Sequence, residues 1–232
     1  MTTESCGYTE DQMLAYVAGD LREREAAAVA EHLGECRDCC EQAAEFAALG
    51  SAVAEGCATD VVRWHELETP LGMMYAAVTD RGLARLTWHR PSRDEFVAAM
   101  EKRFPDRLVV HDAAALADVE VQLQEYFAGE RSSFDLPVDL SALSEFERRV
   151  LQAALRIPFG EVVAYSDLAQ RIGKPRASRA VGNALNHNPV AIVVPCHRVV
   201  RRDGSLGGYG GGIETKKRLL TIEGRDDLAR AS

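Results

Sequence analysis

The stretch from Asn188 to Val200 reads Asn-Pro-Val-Ala-Ile-Val-Val-Pro-Cys-His-Arg-Val-Val. Its apolar run, 190–194, follows an Asn-Pro turn and has the length of a strand buried on both faces. Pro195 cannot donate a ladder hydrogen bond, so the predicted strand ends there. Cys196 and His197 follow, and a thiol beside an imidazole is typical of a nucleophile whose pKa a neighbour can lower. The alternative for such a pair is a core cysteine beside a surface histidine.

Motifs on both sides extend this pattern over the second half of the chain. They are Gly160-Glu161-Val162-Val163-Ala164-Tyr165, Arg179-Ala180-Val181-Gly182, Pro195-Cys196-His197-Arg198-Val199, Gly208-Tyr209, Lys216, Leu219-Leu220 and Glu223-Gly224. Together they resemble the O6-alkylguanine-DNA alkyltransferases, the methylated-DNA–protein-cysteine methyltransferase family. The resemblance is dense from Leu151 to Gly224, looser from Arg63 to Pro137, and does not cover the first sixty residues. It implies an α+β fold, in which an RNase-H-like α/β domain without catalytic residues precedes a mainly helical, helix-turn-helix DNA-binding domain that carries the active-site cysteine.

The residue types of the motif suit alkyl transfer to a thiol. Cys196 should attack the alkyl carbon in line, with O6 as the leaving group, but a free thiol has a pKa of about 8.5 and needs a base. His197 can serve as that base, with Glu223 orienting its imidazole. Adjacent residues of an extended segment point apart, so we expect a water between His197 and Cys196, as in the family. The resemblance further implies that Lys216 assists the departing guanine and that Asn188 holds the turn before the active-site strand.

The product is a thioether, which water does not cleave, so each molecule should act once. No cofactor is expected for the reaction itself.

The helical part of the C-terminal half predicts a DNA contact. A capping box at 144–147 opens a helix that should run to about Ile157, and Ser166-Asp167 should cap another at 168–172. A Gly-containing turn then leads to a helix at about 178–185, which makes a helix-turn-helix. The second helix carries small residues and one long side chain, Arg179, a combination that suits the minor groove. The alternative is a packed helix pair with glycine at a close contact.

Alkyl on guanine O6 lies within the base stack, so the nucleotide must leave the duplex before a side chain can reach it. The resemblance implies that Tyr165 rotates the nucleotide through its 3′-phosphate and that Arg179 takes the place of the extruded base. It also implies that Tyr209 walls the guanine pocket and that backbone groups around Cys196 and Val199 contact the base edge. Gly210 stands where some relatives have a serine near O6, which leaves alkyl range and rate open.

The charge is distributed unevenly along the 232 residues, whose net charge is −9. The first sixty residues carry 13 acidic and 3 basic side chains, whereas residues 156–218 carry 11 basic and 4 acidic ones. The basic charge therefore surrounds the cysteine stretch, as a partner with phosphates requires. No signal peptide or membrane-length apolar run is present in the sequence, so we expect a cytoplasmic protein.

The acidic N-terminal segment contains a metal-ligand pattern. Its two short helices, near 9–19 and 22–33, are followed by His-x3-Cys-x2-Cys, formed by His32, Cys36 and Cys39. These spacings suit tetrahedral zinc, with Cys6 as the fourth ligand. The alternative is a cluster of free thiols in an alanine-rich helical pair. Cys40 is a spare thiol off the pattern, and Cys57 lies in the predicted linker. The segment resembles the zinc-binding anti-sigma-factor domain, which implies a structural zinc ion and a sigma factor, or another protein, as partner.

The middle segment alternates apolar and polar residues between turns. Strands are predicted at 64–69, 72–79, 82–89 and 108–110, with helices at 93–103 and 114–128 and a further N-terminal helix at 41–53. His65, His89 and His111 are scattered singly, so we expect surface or capping roles for them rather than metal ligation.

The sequence thus predicts four regions: a helical zinc domain at 1–56, a linker at 57–62, an RNase-H-like domain at 63–138 and the catalytic DNA-binding domain at 139–226. The predicted activity is single-turnover repair of O6-alkylguanine, and of O4-alkylthymine, in double-stranded DNA by a monomer. One alternative is a transcriptional regulator that binds a sigma factor through the zinc domain. Another is a thiol hydrolase that uses Cys196 and His197.

Overall fold

A computed structural model describes residues 8–36, 39, 43, 46, 61–88 and 92–230. The chain opens with helix α1, Glu10–Ala18, whose Thr9–Gln12 capping box satisfies the first-turn N–H groups. Gly19 ends it at φ 72°, the left-handed conformation that glycine adopts without penalty. Helix α2, Glu23–Glu35, packs against it around Met13 and Val29. Most of the helix predicted at 41–53 lies outside the described residues.

The middle segment forms a four-stranded sheet in the order β3-β2-β1-β4. Its strands are β1 (Val61–Thr69), β2 (Gly72–Thr79), β3 (Gly82–Trp88) and β4 (Leu108–His111), all antiparallel except the β1–β4 pair. Side chains alternate between the two faces of the sheet. One face packs on helix α3, Arg93–Arg103, through Trp64 and Tyr75. The other packs on helix α4, Ala117–Phe127, which follows a 3-10 turn at Ala114–Leu116.

The remaining chain is mainly helical and packs on that second face of the sheet. It contains helices α5 (Glu145–Ala154), α6 (Tyr165–Arg171), α7 (Ser178–Asn186), α8 (Ile213–Ile222) and α9 (Asp226–Arg230). A short parallel pair joins β5 (Val163–Ala164) to β6 (Val199–Val200). Helices α6 and α7 pack together around a turn with Gly173 at φ 72°, as a helix-turn-helix does. Helix α6 begins earlier than its predicted cap at Ser166-Asp167, so Tyr165 is its first residue.

The strand predicted at 190–194 is absent, and that prediction is wrong. These residues are buried, but the chain turns back there, with Val194 N–H donating to the carbonyl of Val190. Ile192 takes φ 73°, which is costly for a β-branched residue and persists only when its surroundings impose it. A short apolar run cannot by itself distinguish a buried strand from a buried turn.

The segment before Cys196 completes the edge of the sheet. Leu86 in β3 donates its N–H to the carbonyl of Pro189 and accepts from the N–H of Ala191. Further along the same edge, Leu83 exchanges equivalent bonds with Pro137 and Asp139. The free backbone groups of an edge strand are thereby paired, and the approach to the cysteine is fixed to the sheet.

The N-terminal helices dock beside α3, on the face of the sheet opposite the C-terminal helices. Arg93, at the start of α3, donates to the carbonyl of Gly19 at the end of α1, and its guanidinium lies 5.1 Å above the Trp64 ring. A cation is favoured at the carboxyl end of a helix. A 660 Å³ cleft remains between α1 and this face. Within the described residues, no helix combines the length and apolar character needed to cross a bilayer.

Candidate active site

Cys196 is the first residue of a 3-10 turn, Cys196–Arg198, and two cavities meet at its side chain. The cavities measure 390 Å³ and 440 Å³. Both are lined by Leu185, Asn186, Cys196, Tyr209 and Gly210. A thiol in this position can be approached from two sides although its residue is mostly covered by protein.

Asn188 holds the turn before the cysteine and also contacts the thiol. Its Oδ1 accepts the N–H of Val190 at 3.0 Å, and its Nδ2 donates to the carbonyl of Val194 at 2.9 Å. The same Nδ2 lies 3.0 Å from Sγ of Cys196. The predicted turn role of Asn188 therefore comes with a second one, since a donor at this distance stabilises a thiolate.

The environment of the thiol and imidazole favours their uncharged forms at rest. Burial raises the pKa of Cys196, and the Asn188 donor and the Lys216 ammonium oppose that shift only in part. Burial also lowers the pKa of His197, although the hydrogen bond and the negative charge of Glu223 act to raise it. A neutral imidazole can accept a proton, so His197 is in the state that a general base requires.

His197 is oriented by a buried carboxylate. Its Nε2 lies 2.7 Å from Oε1 of Glu223, whereas its Nδ1 is buried without a hydrogen-bond partner among the described residues. Arg198 donates to both oxygens of Glu223 and to the carbonyl of Ile157. Burial would raise the pKa of Glu223, but His197 and Arg198 outweigh it and hold that pKa at about 2. No role for Arg198 was predicted from the sequence, although an arginine is rarely buried without a carboxylate partner.

Lys216 and Val199 lie behind the cavities rather than in their walls. The Lys216 ammonium is fully buried and donates to the carbonyl of Val199 at 2.6 Å and to that of Leu206. Burial lowers the pKa of Lys216 to about 8, and the charge of Cys196 acts in the opposite direction. The Lys216 ammonium therefore contacts backbone carbonyls, and its positive charge lowers the pKa of Cys196. The Val199 carbonyl, expected at the base edge, accepts a hydrogen bond from Lys216.

The 390 Å³ cavity opens beside the helix-turn-helix. Tyr165 and the exposed Arg179 line it. The Tyr165 hydroxyl lies 3.4 Å from the carbonyl of Gly208. Gly207, at φ 70°, lets the backbone pass the Tyr165 ring, because a Cβ there would lie 3.1 Å from it. Arg179 makes no hydrogen bond or ion pair with the described residues, so its guanidinium is available at the rim.

The 440 Å³ cavity has a wall from the sheet domain that sequence reasoning missed. Arg85 and Trp88 of β3 line it, and Trp88 meets Tyr209 edge to face at 5.9 Å. A Cβ on Gly211 would lie 2.9 Å from the Tyr209 ring, whereas one on Gly210 would meet nothing closer than 3.9 Å. The run of glycines was the available signal for a close approach there. Nothing in the sequence indicated that Trp88 would line this cavity.

The predicted zinc ligands that lie within the described residues come together. The ligand atoms of His32, Cys36 and Cys39 all lie within 4.8 Å of one another. Two sulfurs and an imidazole nitrogen at that separation match the donor set of tetrahedral zinc. Cys6 lies outside the described residues. His65 and His111, for which surface or capping roles were predicted, form a partly exposed pair with Nδ1 and Nε2 2.9 Å apart, while His89 is outside the described residues.

Comparison with known protein families agrees with this arrangement. Residues 145–225 match the family described as 6-O-methylguanine DNA methyltransferase, DNA binding domain. Residues 62–140 match its ribonuclease-like domain, and residues 9–40 match a family described as "Putative zinc-finger".

Individual relatives cover most of the chain. A methylated-DNA–protein-cysteine methyltransferase of Mycolicibacterium paratuberculosis is 40% identical over 173 residues, which is 73% of this chain and 96% of the relative. The inducible enzyme of Bacillus subtilis is 42% identical over 65% of this chain and 84% of its own. The crystal structure of Mycobacterium tuberculosis OGT in complex with DNA has a TM-score of 0.61 and 37% identity, over 73% of this chain and 96% of that one. The predicted α+β fold class is confirmed.

Proposed function

Because the chain belongs to the methylated-DNA–protein-cysteine methyltransferase family, we propose that Cys196 is the acceptor of the alkyl group in its DNA repair reaction. The chain repairs DNA by moving an alkyl group from guanine O6 onto a cysteine of its own. The observation that supports Cys196 is its position where two cavities meet, beside the Asn188 donor and the Lys216 charge.

The step is an in-line displacement at the alkyl carbon. A bond forms between Sγ of Cys196 and that carbon, the bond from the carbon to O6 breaks, and the thiol proton passes to His197. The free Nδ1 of His197 is the atom that can receive it, through a water, while Nε2–H donates to Glu223. The proton finally neutralises the departing guanine. Asn188 and Lys216 stabilise the sulfur while it is negatively charged.

The DNA lies across the helix-turn-helix, with helix α7 in the minor groove. Arg179 enters the base stack, and Tyr165 turns the nucleotide into the 390 Å³ cavity. Tyr209 forms a wall of that cavity, and the open surroundings of Gly210 leave room near O6 for larger alkyl groups and for O4-alkylthymine. The exposed Arg179 and the basic stretch 156–218 support this placement.

The N-terminal helices bind a structural zinc ion through Cys6, His32, Cys36 and Cys39. Support comes from the clustering of three of these and from Tyr8, whose ring lies 4.9 Å from that of His32. Cys6 is two residues from Tyr8 in the chain, and two residues span at most about 7 Å. The ion would hold the end of α2 to the N-terminal residues. Zinc measured in the purified chain, and lost in Cys36→Ser, would establish the site, and a metal-free wild type would remove it.

A sigma factor as partner of this domain stays a prediction, as do the cytoplasmic location and the monomeric state. The anti-sigma resemblance is the support for the partner, and an empty pulldown with sigma factors would remove it.

The intact mass of the protein tests the main proposal. After incubation with a duplex that contains O6-methylguanine, the mass should rise by one methyl group in place of one hydrogen, located in the Cys196 peptide. Cys196→Ser should bind the duplex and keep its mass. DNA binding without any mass change in the wild type would overturn the proposal and indicate a lesion sensor.

A further inference from the structure

Tyr126 contacts the candidate catalytic carboxylate from a domain in which no catalytic residue was expected. It lies in the last turn of α4, is fully buried, and its hydroxyl donates to Oε1 of Glu223 at 2.8 Å. Aromatic rings of Phe127, Phe134 and Phe159 surround it at 5.5, 5.3 and 6.1 Å. Burial and these ring contacts restrain the ring, so they help to keep the hydroxyl at the carboxylate.

The oxygen that Tyr126 contacts is the one that orients the imidazole. Oε1 of Glu223 receives Nε2 of His197 at 2.7 Å and the Tyr126 hydroxyl at 2.8 Å. Among the described residues, the other donors to this carboxylate are Arg198 and the N–H of Gly160, both within the helical domain. Within the part of the chain that the structure describes, Tyr126 is therefore the hydrogen-bond donor to Glu223 that comes from the sheet domain.

We propose that Tyr126 is a positioning residue for alkyl transfer: its hydroxyl fixes the Glu223 carboxylate against His197 and withdraws part of the negative charge that the imidazole would otherwise experience. The proposal rests on the roles of His197 and Glu223 proposed above. Tyr126 itself lines neither cavity at Cys196 and so does not touch the base.

The effect on His197 has a definite sign. Burial keeps the pKa of His197 below its ordinary value, and the negative charge of Glu223 raises it. A donor on Oε1 weakens that second influence, because it draws the charge toward the phenol. Loss of the hydroxyl should raise the pKa of His197, so more of the imidazole is protonated and unable to act as a base. The charged or titratable groups around this ring are Glu223, Arg198, Lys216, Cys196, Tyr209 and, through Glu223, Tyr126.

Tyr126→Phe tests this, because it removes the hydroxyl and leaves the packed ring. Single-turnover transfer from an O6-methylguanine duplex, measured against pH, should slow about tenfold at neutral pH, the size of one hydrogen bond to a charged group. The acid limb of the pH–rate profile should move to higher pH, by roughly half a pH unit to one pH unit. DNA affinity should stay at the wild-type value, because the cavity walls are unchanged.

Tyr75→Phe is the matched control. Tyr75 is a fully buried tyrosine of the same domain that stacks on Phe96 on the opposite face of the sheet. It should transfer alkyl groups with the wild-type rate and pH profile. A Tyr126→Phe profile that equals that of Tyr75→Phe, or that is lowered equally at every pH, overturns the proposal in favour of a packing role.

Titration of the His197 ring by NMR separates this proposal from the proposed function. An imidazole pKa that is unchanged in Tyr126→Phe overturns the positioning role whatever the DNA assay gives. A wild-type protein that is never alkylated at Cys196 overturns the proposed function instead, and a raised imidazole pKa would still support the Tyr126–Glu223–His197 linkage.

Discussion

Replacing Asn188 by aspartate should slow alkyl transfer strongly while DNA binding persists. The amide Nδ2 donates to Sγ of Cys196 at 3.0 Å and to the Val194 carbonyl at 2.9 Å, while Oδ1 accepts from Val190. Aspartate keeps the shape and the acceptor but replaces the donor by a second oxygen. That oxygen would face the carbonyl and the sulfur, neither of which can donate once the thiol is ionised.

The magnitude follows from the lost donor. A hydrogen bond to a charged group contributes about 1.5–3 kcal/mol, which corresponds to a roughly 10- to 100-fold slower reaction when the thiolate loses it. Asn188→Ala should lie at the small end of that range, and Asn188→Asp at the large end or beyond, because its charge also opposes the thiolate. In Asn188→Ala the N–H of Val190 loses its partner, while the Val194 carbonyl keeps the N–H of Cys196, so the free energy of unfolding should fall by about 1–3 kcal/mol.

Three measurements check this reasoning. Single-turnover transfer gives the rate, and the pH dependence of Cys196 carboxymethylation gives the thiol pKa, which should be raised further in both variants. Urea unfolding gives the stability. If Asn188→Asp transfers within twofold of the wild-type rate with an unchanged thiol pKa, the contact between Nδ2 and Sγ has no catalytic importance and the reasoning fails.

Three further perturbations have expected outcomes. Gly211→Ala places a methyl group 2.9 Å from the Tyr209 ring and should lower the free energy of unfolding, whereas Gly210→Ala meets no protein atom closer than 3.9 Å and instead fills the room near O6, so it should slow transfer of bulky alkyl groups more than that of methyl; equal transfer of both groups by Gly210→Ala would contradict this. Arg93→Ala removes the contact between α3 and the end of α1, so limited proteolysis should release the N-terminal helices sooner at an unchanged transfer rate. Transfer should decline at acid pH only below the ordinary range of histidine, because burial lowers the pKa of His197. It should also decline above about pH 8 as Lys216 loses its proton, and a Lys216→Met variant that retains this alkaline decline would refute the assignment.

The sheet could be predicted because each strand carries its own local signal. Turns at 70–72 and 80–82 bound alternating runs, and all four strands form there with ends shifted by three residues or fewer. Helix α3 likewise has a capping box at Ser92–Glu95 that fixes its start. The prediction of a strand at 190–194 was wrong because hydrophobicity is the only signal in that run. The run is buried, but the turn is held by two hydrogen bonds of the Asn188 side chain, to Val190 and Val194, and no periodicity encodes them.

The residues of the candidate site also differ in whether a local sequence signal could predict them. Cys196, His197 and Asn188 could be named because they lie within nine residues of each other in a specific motif. Tyr126 and Trp88 could not, because they reach the site from distant chain positions. Tyr126 is 97 residues from Glu223, and which buried hydroxyl meets which carboxylate is decided by packing between domains rather than by residue type.

That packing also explains how a nucleophile can be buried and still reachable. Residues 189–191 complete the edge of β3, so the backbone before Cys196 is held by the sheet as well as by the Asn188 side chain of its own domain. Trp88 from the same strand closes one cavity, and Tyr126 from α4 fixes the carboxylate behind the imidazole. The sheet domain therefore fixes the backbone before the proposed acceptor cysteine and contacts the carboxylate proposed to orient its base. A helical domain isolated from the sheet would keep every motif residue and lose the geometry that makes them a site.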